Sequence, residues 1–285
     1  MKKIDFNNLK KPYLIAEIGI NHNGCLQTAK RLIDAAFSCS WDCVKFQKRT
    51  PDMCVPEHQK GVMRETPWGT MTYLDYKKRI EFEKEEYDYI ETYCREKPID
   101  WTVSVWDLNS VAFIQDYDVP FIKVSSALIT DLALLKRAAQ TQIPIIISTG
   151  MSSLEEMDLA VKTLEKYATQ FVVMHCNSSY PAKLDELNLS LIPKLKKRYG
   201  CPVGYSGHEF GLDSTSMSVV LGAEVIERHI TLDREMWGTD QMASVEIAGM
   251  DKLYKQIRSV APILGDGEKV VYESEKSVRK KLRGC

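Results

Sequence analysis

Short apolar runs alternate with longer amphipathic stretches along the whole chain. Runs rich in β-branched residues predict eight strands, at residues 13–20, 41–47, 101–106, 121–126, 144–149, 171–176, 202–206 and 225–231. The stretches between them carry apolar residues at helical spacing, as in residues 28–37, and Ser153 stands three residues before Glu156, a capping-box spacing that predicts a helix start. Near-continuous apolar strands separated by helices are typical of a parallel sheet covered on both faces. Eight such units without a reversal of order predict a (β/α)8 TIM barrel, an α/β fold, rather than an open doubly wound sheet.

The connection over residues 48–80 is too long for a plain turn and mixes Pro and Gly with aromatic residues. Unstructured connections longer than about 15 residues are usually functional or disordered. The aromatic residues favour an ordered lid or substrate-facing segment, with a packed surface excursion as the alternative. The charged stretch 266–285 lacks the barrel pattern. We therefore predict one barrel domain over residues 1–265, followed by a charged tail.

Positive and negative charges nearly balance in the composition. The chain has 285 residues, with 38 Lys and Arg against 39 Asp and Glu, and a formal net charge of -1. Without a basic excess, we expect no binding to nucleic acid or to an anionic membrane, and no apolar run approaches the roughly 20 residues of a membrane span. The start does not resemble a secretory signal. Eight scattered cysteines without a CxxC favour reduced thiols in a cytoplasmic protein, so the expected partners are small molecules.

Polar residues recur at the carboxyl end of nearly every predicted strand. In a barrel, this end carries the active site, and a polar group left unpaired in a strand would cost about 1–3 kcal/mol. The candidates are Glu17, Asn21, His22, Lys45, Gln47, Ser104, Asp107, Lys123, Ser125, Ser126, Ser148, Thr149, His175, Asn177, Ser178, Tyr180, Ser206, His208, Glu227 and His229. A ring of polar residues around one rim predicts an active site there.

Two histidines in this ring indicate a metal site. His208 and His229 end neighbouring predicted strands, which lie about 4.8 Å apart, so their imidazoles could share one ion at about 2.0–2.2 Å. Hydrogen-bonded structural histidines are the alternative. Two nitrogens with a nearby carboxylate and water suit Mn²⁺, Mg²⁺, Fe²⁺ or Zn²⁺, and ligand softness alone does not decide among them. We expect Mn²⁺ or Mg²⁺ first, with Zn²⁺, Fe²⁺ or Co²⁺ as alternatives.

Two lysines among several serines predict an anion site. Ammonium groups and hydroxyls that converge on one mouth suit a phosphate or carboxylate, although one lysine could instead form a Schiff base, as in barrel aldolases. The predicted set is Lys45, Ser104, Lys123, Ser126, Ser148, Ser178 and Ser206. Glu17 and Asp240 are candidates for a general base or an orienting carboxylate. A buried ion pair with Lys45 is the other interpretation of Glu17, and both could hold at once.

Long motifs in a fixed order resemble the sialic acid synthase (N-acetylneuraminate synthase) family. They are AEIGINHNG (16–24), VKFQ (44–47), WGTMTYLDYKKRIEF (68–82), KVSSALITDLALL (123–135), ISTGMSSLEEM (147–157), HCNSSYP (175–181), GYSGHEFG (204–211), IERHITLD (226–233) and WGTDQMASVE (237–246). The resemblance implies a metal-dependent condensation of phosphoenolpyruvate with the open-chain aldehyde of an aminosugar. The products would be phosphate and a nine-carbon 2-keto acid, a nonulosonate such as N-acetylneuraminate or legionaminate for surface polysaccharides.

The same resemblance implies roles for the rim residues. His208 and His229 would bind the metal, and the two lysines and five serines would hold phosphoenolpyruvate. Asn21, Gln47 and Tyr180 would contact the acceptor sugar, while Glu17, His229 and Asp240 would act in catalysis near the water held by the metal. The alternatives are a Schiff-base aldolase and a non-catalytic barrel completed by a separate acceptor-domain polypeptide.

The chain departs from the family pattern in two places. Leu128 in KVSSAL stands where these synthases usually have the glutamate of KIGSGE, which favours a less polar or deoxygenated acceptor, as in legionaminic-type relatives. The family also normally continues into an antifreeze-like domain that reaches an arginine into the partner's acceptor site, whereas this sequence ends at KKLRGC. We expect a homo-oligomer. Its acceptor site would be completed by residues 48–80, by a separate antifreeze-like polypeptide, or not at all.

Overall fold

Eight parallel strands close into a barrel in a computed structural model that describes residues 4–168 and 170–283. The strands in chain order are β1 (Tyr13–Gly19), β2 (Cys43–Lys48), β3 (Met63–Arg64), β4 (Met71–Thr72), β5 (Asp100–Val105), β6 (Ile122–Val124), β7 (Ile145–Ser148), β8 (Phe171–Cys176), β9 (Val203–Gly207) and β10 (Val225–His229). The barrel order is β1-β10-β9-β8-β7-β6-β5-β2, and β3 and β4 form a separate antiparallel pair. The predicted TIM barrel is confirmed.

Helices follow the barrel strands and cover the outside of the sheet. They are α1 (Leu26–Ser38), α2 (Pro51–Cys54), α3 (Glu57–Lys60), α4 (Tyr73–Ile80), α5 (Lys84–Glu96), α6 (Leu108–Ile114), α7 (Leu132–Ala139), α8 (Leu154–Tyr167), α9 (Leu191–Tyr199), α10 (Asp213–Val220), α11 (Ile247–Leu264) and α12 (Glu273–Arg283). Short 3-10 turns occur at Phe6–Asn8, Ser126–Leu128 and Leu184–Glu186. The predicted capping box at the start of α8 is present, because the Ser153 and Glu156 side chains each accept a backbone N–H at the helix start.

The interior of the barrel divides into an apolar end and a polar end. Near the amino ends of the strands, the inward side chains form a small apolar cluster, which includes Tyr13, Ile15, Phe121 and Val225. Phe6 closes this end, with its ring 5.7 Å from that of Phe121 and at a steep angle to it. The polar inward side chains lie at the opposite end of the barrel, at the carboxyl ends of the strands.

Segment 48–80 is ordered and contains α2, α3, the β3–β4 pair and α4. Aromatic contacts fasten it to the loop after β10, since Trp237 lies 5.7 Å from Trp68 and 5.2 Å from Tyr76 between ring centroids. The Arg79 guanidinium stacks 4.7 Å from the Trp68 ring. The segment thus forms a fixed wall beside the rim.

The end of the described chain is exposed. After α11, every described residue of 266–283 is exposed, including the charged helix α12. The boundary at residue 265 stays a prediction. Cys25, Cys39, Cys43, Cys54, Cys94, Cys176 and Cys201 are free thiols, and Cys285 lies outside the described residues. Within residues 4–168 and 170–283, no helix has the length and apolarity to cross a membrane.

Candidate active site

A cavity of about 210 Å³ opens at the carboxyl ends of the strands, and we call it the inner cavity. Its walls are formed by Glu17, Lys45, Gln47, Ser104, Trp106, Lys123, Ser125, Ser126, Ala127, Ser148, Met151, Ser178, Tyr180, Ser206, His208, Glu227 and His229. Strand alternation explains this grouping, because Lys45 and Gln47, or Glu227 and His229, stand two residues apart and share the inward face. The structure thus brings together the seven residues predicted to hold phosphoenolpyruvate and both predicted metal ligands.

Two lysines and two glutamates form a buried charge network in the inner cavity. Lys45 Nζ lies 2.6 Å from Glu17 Oε2, 2.7 Å from Ser104 Oγ and 3.7 Å from Glu227 Oε2. Lys123 Nζ lies 3.3 Å from Glu227 Oε1, which also accepts a hydrogen bond from Ser206. Glu17 therefore makes the ion pair and also faces the cavity.

The two glutamates differ in their affinity for protons. Burial raises the pKa of Glu17 to about 7, although Lys45 opposes the rise. Burial also acts to raise the pKa of Glu227, but Lys123 and Lys45 outweigh it and lower the pKa to about 2. Glu17 can therefore take up or release a proton near neutral pH, whereas Glu227 stays ionised.

The two histidines face each other across the cavity mouth, with ring centroids 5.6 Å apart. His208 Nδ1 donates to the Asn177 carbonyl oxygen at 2.6 Å, which leaves the lone pair on Nε2 directed at the Tyr180 hydroxyl 2.9 Å away. His229 Nδ1 is buried without a hydrogen-bond partner in the described structure, and it lies 4.0 Å from Asp240 Oδ2. Burial lowers the pKa of both rings, that of His208 to about 4, so both are neutral at pH 7.

Neutral imidazoles with available nitrogen lone pairs fit a divalent cation. Across residues 4–168 and 170–283, no group of three or more His, Cys, Asp or Glu side chains is arranged to hold a metal ion. An ion at this mouth would therefore take two nitrogens from His208 and His229 and its remaining ligands from water or substrate.

A second cavity of about 400 Å³, the outer cavity, adjoins the first. Its walls are formed by Ile20, Gln47, Arg49, Cys54, Val55, Pro56, Tyr73, Lys77, Trp106, Tyr180, His229, Thr239 and Asp240. Gln47, Trp106, Tyr180 and His229 line both cavities. Segment 48–80 supplies much of the outer wall, in agreement with its interpretation as a substrate-facing segment.

Two predicted acceptor-site residues lie elsewhere. The Asn21 side chain is buried and donates to Ile230 O and Ser244 Oγ, both at 2.9 Å, so it braces the loop after β10 and lines neither cavity. Leu128 closes the 3-10 turn after β6 and contacts the hydrophobic core, whereas Ser126 and Ala127 of the same turn face the inner cavity. The premise that Leu128 faces the acceptor is therefore not met.

Three charged residues of the two cavities had no role predicted from the sequence. Glu227 pairs with both cavity lysines, and its position two residues before His229 on β10 was the available signal. Arg49 and Lys77 line the outer cavity from segment 48–80. No strand periodicity marks these two positions, so only their place in an unusually long connection pointed to them.

The fold and the site define an α/β-barrel protein whose mouth is lined by two buried lysines, several serines and two neutral histidines. Residues 32–269 match the NeuB family, and the chain belongs to this family. This finding confirms the resemblance seen in the motifs.

Named relatives agree with the family assignment. The chain is 39% identical over 240 residues to an N-acetylneuraminate-9-phosphate synthase of Drosophila melanogaster, a match that covers 82% of this chain and 64% of that protein. It is 34% identical over 282 residues to an N,N'-diacetyllegionaminic acid synthase of Legionella pneumophila, covering 95% of this chain and 78% of that one. A solved N-acetylneuraminic acid (sialic acid) synthetase from Leptospira borgpetersenii, in complex with citrate, superposes with a TM-score of 0.85 at 30% identity, over 99% of this chain and 98% of that chain.

Proposed function

We propose that this barrel condenses phosphoenolpyruvate with the open-chain aldehyde of an aminosugar, giving a 3-deoxy-2-keto sugar acid of the nonulosonate type and phosphate. The names of the relatives support a sugar-acid synthase. The observation that carries the proposal is the shared wall of the two cavities, formed by Gln47, Trp106, Tyr180 and His229. An anion in the inner cavity and a sugar in the outer cavity would meet with their reacting atoms at this wall.

The inner cavity suits phosphoenolpyruvate because it combines cations with hydroxyl donors that lack partners. Lys45 and Lys123 supply the positive charge, and the buried hydroxyls of Ser125 and Ser148 have no hydrogen-bond partner within the described residues. A phosphate or carboxylate oxygen would accept from these donors. Ser104, Ser126, Ser178 and Ser206 complete the proposed phosphoenolpyruvate site.

A divalent ion would be held by His208 and His229, with Mn²⁺ or Mg²⁺ expected first and Zn²⁺, Fe²⁺ or Co²⁺ as alternatives. Bound there, it would polarise the aldehyde oxygen as a Lewis acid. The buried, unpartnered Nδ1 of His229 supports this assignment. Asp240 Oδ2 lies 4.0 Å from the same nitrogen, so Asp240 would act in catalysis beside the ion, and Gln47 and Tyr180 would contact the acceptor.

The remaining steps use the residues of the chain. The enol carbon of phosphoenolpyruvate attacks the aldehyde carbon, and positive charge develops at the carbon that bears the phosphate. The aldehyde oxygen takes up a proton from solvent and becomes a hydroxyl. Water then adds to the carbon that bears the phosphate, and loss of inorganic phosphate leaves the 2-keto acid. Glu17, with a pKa raised by burial to about 7, accepts the proton of the attacking water, while Lys45 and Lys123 stabilise the charge on phosphate and carboxylate.

We prefer this reaction to a Schiff-base aldolase because both cavity lysines contact carboxylates. Lys45 lies 2.6 Å from Glu17, and Glu17 and Glu227 outweigh burial and raise its pKa, so it is held as an ammonium group. Burial lowers the pKa of Lys123, but Glu227 opposes this effect and engages the Lys123 amine at 3.3 Å, so it is not a free nucleophile. Borohydride treatment with substrate should trap no covalent adduct on either lysine. A trapped adduct would favour the aldolase.

The biological setting is proposed on the same grounds. Segment 48–80 walls the outer cavity, which supports a contribution of this segment to the acceptor site. Free cysteines suit a cytoplasmic location, where thiols stay reduced. We keep the homo-oligomer as an expectation, measurable by analytical ultracentrifugation.

The test is consumption of phosphoenolpyruvate by the purified full chain with Mn²⁺ or Mg²⁺ and a panel of aldoses. The panel includes N-acetylmannosamine and its 6-phosphate, 2,4-diacetamido-2,4,6-trideoxyhexoses and simple pentoses. We expect phosphate release and a new 2-keto acid only when an aldose and the metal are both present. Phosphate release without any aldose, or no reaction with the whole panel, would contradict the proposed function.

A further inference from the structure

The outer cavity contains a buried cation without an anionic partner. Lys77, on α4, is only 8% exposed and lines this cavity, yet it makes no hydrogen bond or ion pair among the described residues. Its neighbours are the rings of Tyr73 and Tyr76, whose centroids lie 5.2 and 5.1 Å from Nζ. Three other buried lysines each have a glutamate partner: Lys45 with Glu17 at 2.6 Å, Lys48 with Glu81 at 3.2 Å and Lys123 with Glu227 at 3.3 Å.

The charges around Lys77 leave a positive excess at this part of the outer cavity. Arg49 also lines the cavity, but its guanidinium is already engaged with Gln47 and lies 3.7 Å from Glu81. Asp240 also lines the outer cavity, and Asp240 and Glu81 both act electrostatically on Lys77, but neither makes an ion pair with it among the described residues. Burial, with Arg49 adding to its effect, lowers the pKa of Lys77 to about 8, so the side chain still carries its charge at neutral pH. A buried ammonium group without a partner favours the entry of an anion.

We propose that Lys77 binds a phosphate group on the acceptor sugar, at the carbon remote from the aldehyde. The inference rests on the proposed function, which puts the aldehyde at the shared wall near His229. Lys77 lines the outer cavity only, so it would contact the part of the sugar that extends away from the reacting carbon. A lysine ammonium group is a common point-charge ligand for phosphate, and segment 48–80 would thereby select the acceptor.

The test compares N-acetylmannosamine with its 6-phosphate in the full-length enzyme with Mn²⁺, measuring the 2-keto acid formed. Since a charge-assisted hydrogen bond contributes roughly 1.5–3 kcal/mol, we expect the wild type to prefer the phosphorylated sugar by about 10- to 100-fold in kcat/KM. Lys77→Met should remove most of this preference through a higher KM for the sugar phosphate. The KM for phosphoenolpyruvate should stay unchanged, and kcat/KM for the neutral sugar should fall much less than kcat/KM for the sugar phosphate.

Two further variants test whether the preference for the sugar phosphate depends on the positive charge at position 77 or on any positive charge of α4. Lys78→Met removes the next cation on α4, which is half exposed and pairs with Asp52 at 2.8 Å, and it should keep the preference. Lys77→Arg should restore much of it. Because Lys77 has no ion-pair partner, Lys77→Met should not lower the melting temperature of the free protein, whereas loss of a structural lysine would lower it.

A binding experiment checks the inference without turnover. The 6-phosphate of the corresponding alditol has no aldehyde and cannot react, and isothermal titration should show tighter binding of this phosphate than of the neutral alditol, in the wild type but not in Lys77→Met. Equal turnover of both sugars by the wild type, or an equal loss for both in Lys77→Met, would overturn the inference while the proposed function stands. If neither sugar, nor any other aldose of the panel, reacts with phosphoenolpyruvate, the proposed function fails and the inference fails with it.

Discussion

Two carboxylates of the inner cavity hold different protonation states although both are buried. Burial raises the pKa of Glu17 to about 7, whereas Glu227 lies between two ammonium groups that outweigh burial and lower its pKa to about 2. Where two neighbouring carboxylates have different pKa values, the one with the higher pKa commonly transfers protons and the other stabilises charge. Glu17 is therefore the group expected to exchange protons, and Glu227 remains an anion that fixes Lys45 and Lys123.

Glu17→Gln tests this division by keeping a hydrogen-bonding side chain that cannot accept a proton. The base is the ionised carboxylate, so wild-type kcat/KM should rise with pH through about 7, the pKa that burial gives Glu17, and level off above it. The variant should react about 10²- to 10⁴-fold more slowly, as expected for removal of a general base. Its kcat/KM should also no longer rise with pH through about 7. Glu57→Gln, at an exposed position, is the matched control. An unchanged pH profile in Glu17→Gln would assign the proton to another group.

His208→Ala tests the proposed metal ligand. Turnover should be abolished and the metal content of the purified protein should fall, while stability decreases by only about 1 kcal/mol for the lost hydrogen bond to Asn177. His175→Ala is the matched control, because that ring binds the Leu187 carbonyl at 2.6 Å and does not line the inner cavity. Metal-dependent activity that persists in His208→Ala would reject the assignment.

The sequence predicted rim residues well where strand alternation applies and poorly elsewhere. Lys45, Ser104 and Ser206 were predictable because inward positions at a strand's carboxyl end recur every second residue. Lys77 was not, since it lies on a helix inside a long connection whose path the sequence does not specify. Asn21 follows β1 and was expected to contact the acceptor sugar. Its short amide instead donates to the backbone after β10, the strand that lies beside β1 in the barrel.

Among the elements, strand ends were predicted less accurately than strand centres. The prediction for residues 171–176 agrees with β8, whereas β6 ends at Val124, two residues early, because the chain enters the 3-10 turn Ser126–Leu128. That turn brings Ser126 to the inner cavity. Short-range patterns define where a strand runs, but its end depends on neighbouring loops that sequence periodicity does not describe.

The turn after β7 depends on the absence of a side chain at Gly150. A Cβ there would lie 2.1 Å from Ser178 Oγ and 3.0 Å from Ser126 Oγ, and the Gly150 N–H donates to Ser126. Gly150→Ala should therefore displace two serines of the proposed phosphoenolpyruvate site and raise the KM for phosphoenolpyruvate by at least about tenfold, the effect of 1.4 kcal/mol. A Cβ at Gly61 would have no atom within 4 Å, so Gly61→Ala should leave the KM for phosphoenolpyruvate unchanged. Equal KM values in both variants would remove Ser126 and Ser178 from the binding site.

Over the whole molecule, the barrel separates the residues that stabilise it from those that act on substrate. The apolar cluster around Phe6 and Phe121 fills the end at which the strands begin, and the charged cavities occupy the end at which they finish. This polarity was predictable from the sequence, since polar residues recur at the carboxyl end of nearly every predicted strand. Segment 48–80 was predicted as a substrate-facing unit, but its helices and its hairpin were not.

Phe6→Ala tests this separation because Phe6 is fully buried at the end of the barrel opposite the two cavities. Removal of the ring should destabilise the fold by about 3–5 kcal/mol, the usual cost of a buried phenylalanine, and lower the midpoint of denaturant unfolding. Below that midpoint, KM and kcat should equal those of the wild type, because the cavity residues keep their supports. Phe37→Ala, at a side chain that is 43% exposed, should change the midpoint little. A loss of kcat in Phe6→Ala under conditions where the variant remains folded would show that the two ends of the barrel are energetically linked.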